Sequence, residues 1–182
     1  AQREENNWYL ENFGGDPNAY VGFVPMEGSG ARIILDNRGL SGEANNWTSE
    51  PWMRKDIPDI NVNSETTLSW TQLDKDHSLH FALLIEGAGV DRWLIYSANA
   101  SNHWYKSGWV DLTGYGGYNT EKTITRNVYT DYNTEFGSGA SKIKELKIGH
   151  FSYTSWIGDH GGYVKNIKIG GQPLSANYTS SD

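Results

Sequence analysis

The chain has 182 residues, 37% of them hydrophobic and 20% charged, and carries a formal net charge of −7. This length and composition are typical of one soluble globular domain and exclude a disordered chain. The acidic balance excludes nucleic acid as a partner and argues against anionic membranes and polyanionic glycans, which would need a basic surface.

Alternating apolar and polar residues dominate the chain and predict strands separated by Gly-, Pro- and Asn-rich turns. Residues 41–58 follow no clear period and are predicted to be irregular. The short connection 87–89 predicts that 90–97 returns antiparallel to 78–86 as a hairpin. The predicted strands are 8–13, 20–26, 31–36, 66–72, 78–86, 90–97, 122–132, 141–151 and 163–169.

The alternation also predicts which face each side chain occupies. In the first strand of the hairpin, His80 is predicted to face outward. In the second strand, Trp93 is assigned to the core and Tyr96 to the opposite face. A register error of one residue would exchange these faces. The residues of the first hairpin strand that are predicted to face the core are Leu79, Phe81, Leu83 and Ile85.

About eight to ten short strands without a helical period predict an all-β fold, an antiparallel β-sandwich of the jelly-roll type. No long amphipathic helix is predicted. The sandwich is expected to form a single domain over residues 1–170. Residues 171–182 are rich in Ser, Asn and Thr and are predicted to be a loose polar tail or linker stub.

Aromatic residues exceed what a core of this size needs, with 8 Trp and 11 Tyr in the chain. Many fall in predicted loops rich in Gly, Asn and Ser, most clearly after residue 97. A flat ring can stack on the C–H face of a sugar while polar side chains bind its hydroxyl groups. The alternative is that these rings cap the ends of the sandwich. The predicted ligand-binding residues in loops are Trp47, Trp52, Trp104, Tyr105, Tyr115, Tyr118 and Trp156.

A second candidate surface is the sheet face opposite the core, where His80, Arg92 and Tyr96 are predicted to point outward. The Arg92 guanidinium would donate to vicinal hydroxyls, and Glu86 would accept from them. The alternative is that Arg92 and Glu86 form a cross-strand ion pair, which would contribute little.

Four short segments resemble motifs of the jelly-roll carbohydrate-binding modules, within the laminin-G-like and concanavalin-like superfamily. They are the opening residues 10–13, the strand 31–37, a "W…RNL…D"-like stretch from Trp109 to Asp131, and the ending 148–149 with 163–167. The resemblance covers most of the chain and assigns no specific family. It implies a β-sandwich that binds a polysaccharide or oligosaccharide.

The resemblance also implies a structural calcium ion, held by a first-strand Glu and a closing-strand Asp. Glu11 matches the first position. Lys165 stands where the usual Asp is found, and Asn166 follows it. The metal ligands that the resemblance implies in this chain are therefore Glu11 and Asn166.

Patterns for catalysis are absent from the sequence. There is no E-x-D-x-E carboxylate spacing, no H-E-x-x-H motif and no G-x-S-x-G motif. The sequence therefore favours, without deciding it, a non-catalytic carbohydrate-binding module that recognises a neutral polysaccharide through loop aromatics. Two alternatives stay open: an extracellular structural or filament subunit, and a polysaccharide lyase or hydrolase on a jelly-roll fold.

Several features predict a secreted or cell-surface, lectin-like protein. The start at Ala1 without Met resembles a mature end left by signal-peptide cleavage. N-x-S/T triplets at Asn46, Asn99 and Asn177 are candidate glycosylation sites. No apolar run approaches the roughly 18–20 residues needed for membrane insertion.

Overall fold

The computed structural model describes residues 3–4, 8–14, 19–26, 30–37, 49–75, 79–98, 108–116, 119–150 and 158–174. Among the described residues before Trp52, Glu11 is described with its side chain, and the others are described by their backbone alone. The elements are β1 (Arg3–Glu4), β2 (Trp8–Gly14), β3 (Ala19–Met26), β4 (Gly30–Asn37), β5 (Ser49–Asn61), β6 (Thr67–Asp74), β7 (Leu79–Gly87), β8 (Val90–Ser97), β9 (Trp109–Asp111), β10 (Lys122–Asn127), α1 (Val128–Phe136), β11 (Ala140–His150), β12 (Gly158–Ile169) and β13 (Gln172–Pro173).

The strands form two sheets that face each other across one core. The first sheet has the order β1-β2-β5-β11-β7-β8-β9, and the second has the order β10-β6-β12-β4-β3, with β13 beside β12. All described pairs are antiparallel except β8 with β9. The predicted all-β, antiparallel β-sandwich of jelly-roll type is confirmed.

Aromatic stacking joins the two sheets at the centre of the core. Trp70 of β6 stacks on Phe81 of β7 with ring centroids 4.5 Å apart, and meets Tyr96 of β8 edge-on at 5.5 Å. The Trp70 indole N–H donates to Gln72 Oε1 at 2.8 Å, so its polar atom is satisfied within the core. The four residues predicted to face inward from β7 are all buried in this core, as expected: Leu79, Phe81, Leu83 and Ile85.

The hairpin of β7 and β8 is confirmed, but the faces predicted for β8 are wrong. Phe81 lies opposite Tyr96, so Tyr96 points into the main core. Trp93 belongs to a second cluster on the other face of the sheet. The two-residue turn fixes this register: Ala88 and Gly89 both have positive φ, 52° and 78°, as a tight hairpin turn requires.

Two further predictions are wrong. Residues 41–58 were expected to be irregular, yet β5 begins at Ser49. Trp52 and Met53 of β5 are both fully buried, on opposite faces, which removes the alternation that reveals a strand. The strand predicted over 122–132 ends at Asn127, where α1 follows because the Asn127 side chain accepts from Thr130 N–H at 2.9 Å.

A buried polar network ties α1 to both sheets. The Asp131 carboxylate, 6% exposed, accepts from Arg126 at 3.0 and 2.6 Å and from the Tyr96 hydroxyl at 2.9 Å. Burial, with the negative charge of Asp131, raises the pKa of Tyr96 well above its usual value. The segment that resembles "RNL…D" is therefore structural: Arg126 and Asp131 pair, and Asn127 caps the helix.

The packed chain extends a few residues past the boundary predicted at 170. Gly170 and Gly171 turn into β13, which pairs with the end of β12, and Leu174 packs against the core. Residues 175–182 lie outside the described part of the chain. Among the residues described, no helix has the length and apolar character needed to cross a membrane.

Replacing Asp131 by Ala should lower the free energy of unfolding by about 2–4 kcal/mol, because it leaves Arg126 and the Tyr96 hydroxyl without their acceptor. Urea denaturation measures this loss. The control is Asp91→Ala, which removes an exposed contact to Lys144 at 3.2 Å and should cost less than about 1 kcal/mol. Equal losses for the two variants would contradict a structural role for the network.

Candidate functional site

The strand registers bring the ends of many strands to one end of the sandwich, which we call the loop end. In the first sheet, Gly14 pairs with Ser49, and His150 pairs with Leu79. Ser97 ends β8 at the same level, opposite His80. Each of these residues is the first or last residue of its strand, except His80, which follows the first residue of β7.

The second sheet has the same arrangement at this end. Asn37, the last residue of β4, pairs with the first residues of β3 and β12, Ala19 and Gly158. The two sheets are joined here, because the Leu79 N–H donates to Asp74 Oδ1 at 3.3 Å. Six connections begin at the loop end: 15–18, 38–48, 75–78, 98–108, 112–121 and 151–157. Five of them also end there, whereas 98–108 ends further back beside Ile95, because β9 lies parallel to β8.

These connections contain most of the aromatic residues predicted to bind a ligand. Separate stretches of sequence therefore start from neighbouring strand ends, although they are far apart along the chain. Tyr115 lies within the described residues. The other predicted loop aromatics of these connections lie outside the described residues: Trp47, Trp104, Tyr105, Tyr118 and Trp156. All three candidate glycosylation sites, Asn46, Asn99 and Asn177, also lie outside them.

Beside the loop end, the outer face of the first sheet carries a cluster of two tryptophans and a lysine. The Lys147 ammonium lies 4.3 Å from the ring centroid of Trp52 and 4.2 Å from that of Trp93. Lys147 is 2% exposed. Its strand neighbour on β7 is Ala82, whose small side chain leaves space for the indoles. We call this cluster of Trp52, Trp93 and Lys147 the aromatic floor, and cation–π contacts hold its lysine against both rings.

An ionic cluster adjoins this floor. Arg54 bridges two carboxylates, donating from Nη1 to Glu11 and from Nη2 to Glu145, each at 2.5 Å. Lys147 Nζ lies 3.9 Å from the other oxygen of Glu11. The Arg54 guanidinium is also 5.2 Å from the Trp93 ring centroid. Two cations and two carboxylates thus offset each other beside a half-buried indole.

The ionisation of this cluster follows from its contacts. Burial alone would lower the pKa of Arg54, but hydrogen bonds to Glu145 and Glu11 outweigh it and raise that pKa. Burial raises the pKa of Glu145, and the charge and hydrogen bonds of Arg54 act in the opposite direction. Arg54 therefore stays charged at every pH at which the protein is folded.

Three of the predicted binding residues are fully buried, at 0% exposure: Trp52, His80 and Tyr96. The outward orientation predicted for Tyr96 is wrong, because the hairpin register turns it into the core. His80 does lie on the outer face, but Trp52 packs against it with ring centroids 5.9 Å apart. The solvent-open surface predicted around His80 is therefore wrong. Trp52 lies in β5 and not in a loop.

Arg92 and Tyr115 are half-buried and make contacts within the fold. Arg92 donates to the Tyr132 hydroxyl at 3.2 Å and lies over the Phe136 ring. The Tyr115 hydroxyl donates to the Thr125 carbonyl at 3.2 Å. The cross-strand pair predicted between Arg92 and Glu86 is wrong, because Arg92 lies opposite Ile85 and Glu86 opposite Asp91. A role in binding stays a prediction for both Arg92 and Tyr115.

Sequence reasoning missed Arg54, Glu145 and Lys147. A signal was present in residues 142–148, where Lys and Glu alternate with Ile and Leu and so indicate a strand with one charged face. A bulge between Ile143 and Glu145 shifts the register within this strand, at the place where two consecutive charged residues, Lys144 and Glu145, interrupt the alternation.

The two residues implied as calcium ligands do not fit that role. Glu11 already contacts two cations on the outer face of the first sheet. Asn166 belongs to the second sheet, where it is exposed and has a left-handed backbone, with φ of 55°. Within the described ranges, no group of three or more His, Cys, Asp or Glu side chains is placed to hold a metal ion.

No protein-family model matches the chain, and no curated protein has a significantly similar sequence. Among solved structures, it is similar to the family 11 carbohydrate-binding module from Clostridium thermocellum in complex with a β-1,3-1,4-mixed-linked tetrasaccharide. That pair has a TM-score of 0.50 and 17% sequence identity, and the match covers 94% of each chain.

A second similar structure is the family 11 module of the cellulosomal cellulase Lic26A-Cel5E of Clostridium thermocellum. Its TM-score is 0.49 and its identity 14%, over 94% of this chain and 90% of that one. Sequence identity this low carries information about the fold alone. By the first of these matches, the chain shares its fold with a β-sandwich carbohydrate-binding module, as the resemblance in its motifs implied.

Proposed function

We propose that this protein is a non-catalytic carbohydrate-binding module that holds a neutral polysaccharide at the loop end and on the adjoining outer face of the first sheet. One observation carries the proposal: the strand registers start the aromatic-rich connections from the same end of the sandwich. Rings from separate connections can grip one ligand only if those connections share an end. The strand order meets this requirement for 38–48 and 151–157, and 98–108 begins at the same end.

The residue types at this end suit a sugar chain. A tryptophan or tyrosine ring offers a flat apolar face, and each stacked ring contributes on the order of 1 kcal/mol. The outer face adds polar groups, since the Arg54 guanidinium and the Glu145 carboxylate pair there beside the half-buried Trp93.

Charge favours a neutral ligand over a polyanionic one. The chain has a net charge of −7, and the two cations of the outer face are already offset by Glu11 and Glu145. A uronate or sulfated glycan would approach an acidic protein with no spare cation in the ionic cluster. Because a module of this fold has been solved in complex with a β-1,3-1,4-mixed-linked tetrasaccharide, mixed-linked β-glycans are the first ligands to test. The proposal extends to a secreted or cell-surface protein, because such polysaccharides occur outside the cell.

Replacing Trp104 or Trp156 by Ala should weaken binding to the polysaccharide that the wild type retains by about 5- to 10-fold each, the equivalent of one stacked ring. Affinity gel electrophoresis on a panel of polysaccharides, followed by calorimetry on the retained glycan, measures the loss.

The matched control is Tyr129→Ala, an aromatic substitution at a half-buried position of α1, outside the six connections of the loop end. It should bind as the wild type does. If no glycan on the panel is retained, or if the tryptophan variants bind normally while folded, the proposal is wrong.

Binding to the retained glycan should change less than about twofold when the salt concentration is raised from low to high, because a neutral ligand makes no ion pair that salt can screen. Affinity electrophoresis at several sodium chloride concentrations measures this. Retention on a polyuronate that disappears with added salt would instead indicate an ionic site and contradict a neutral ligand.

A further inference from the structure

We infer that the chain's own basic side chains take the place of calcium in this fold, with Arg54 and Lys147 neutralising Glu11, so that folding does not depend on a divalent cation. The inference concerns stability and does not rest on glycan binding. It starts from a disagreement: the motif resemblance implies a metal at Glu11, and the structure surrounds Glu11 with cations.

Both oxygens of the Glu11 carboxylate face a positive charge. Oε2 accepts from Arg54 Nη1 at 2.5 Å, whereas Oε1 makes no hydrogen bond within the described residues and has Lys147 Nζ 3.9 Å away. A calcium ion bound to the same carboxylate would lie within a few ångströms of two cations, and like charges at that separation repel strongly in a partly buried site. Metal and basic side chains therefore compete for Glu11.

The two cations are held in place by other contacts. Arg54 also donates to Glu145 at 2.5 Å, and these hydrogen bonds keep its guanidinium charged. Lys147 is 2% exposed and lies between the rings of Trp52 and Trp93. Because neither side chain depends on Glu11 alone for its position, a metal ion would have to displace ordered, paired groups.

The closing strand shows the same replacement independently. The resemblance expects an aspartate at the position of Lys165, and Lys165 Nζ contacts the carboxylate of Glu121 at 3.2 Å. Its side chain is 14% exposed and lies 5.7 Å from the Tyr163 ring. Where the resemblance expects a closing-strand aspartate, this chain therefore has a lysine paired with a carboxylate.

Thermal unfolding of the whole chain in excess calcium chloride and in excess EDTA tests the inference. The wild type should unfold at the same temperature in both. Glu11→Gln should lower the unfolding temperature by about 2–8 °C, and by the same amount in both solutions, because the lost partner is a side chain and not the metal.

The matched control is Glu121→Gln, whose carboxylate is 45% exposed and whose loss should shift the temperature less than that of Glu11. Arg54→Lys, which keeps the charge but not the two-pronged geometry, should show a loss that is likewise independent of calcium. A wild type that EDTA destabilises, or a Glu11→Gln loss seen in calcium alone, would overturn the inference. Calorimetric titration of the wild type with calcium decides it even if a variant fails to fold: no binding is expected, and saturable binding would overturn it.

Discussion

The packing of Trp70 between the two sheets is the constraint on which the rest of the molecule depends. Its ring stacks on Phe81 and meets Tyr96 edge-on, so one side chain of β6 fixes the level at which the sheets face each other. Close-packed aromatic rings tolerate little sliding. The strand ends of both sheets are consequently held at one level, and the connections between the sheets start from a common end.

The first sheet is unusual in being buried on both faces near that end. Its inner face contributes Met53 and Phe81 to the main core, and its outer face buries Trp52, Ala82 and Lys147. A buried lysine is costly unless its charge is offset. Here the offset comes from two indole faces and a carboxylate.

Sequence alone predicted the fold class, because alternation in β7 and the tight hairpin that follows it are local signals. The prediction failed at β8 because the turn geometry sets the register there, and hydrophobicity does not. That register directs Tyr96 into the main core and Trp93 to the other face. The prediction failed at β5 because burial on both faces erases the period of two. The helix α1 was hidden because the residues after Asn127 are rich in Thr and Tyr, which are typical of strands. The Asn127 side chain caps the helix through Thr130 N–H, a local bond, and also donates to the Ser64 carbonyl, a tertiary contact.

The candidate site could likewise be predicted only where its signal is local in the sequence. Aromatic residues in loops are visible in a sequence, whereas the ionic cluster assembles from three strands far apart in the chain: Glu11 on β2, Arg54 on β5 and Glu145 with Lys147 on β11. Only the strand order β2-β5-β11 makes them neighbours. That order also explains why charge and aromatic surface occur together. The strand that carries Arg54 follows the connection 38–48, and the strand that carries Glu145 leads into 151–157. A ligand bound by rings from those connections would therefore adjoin the sheet face that holds this ionic cluster.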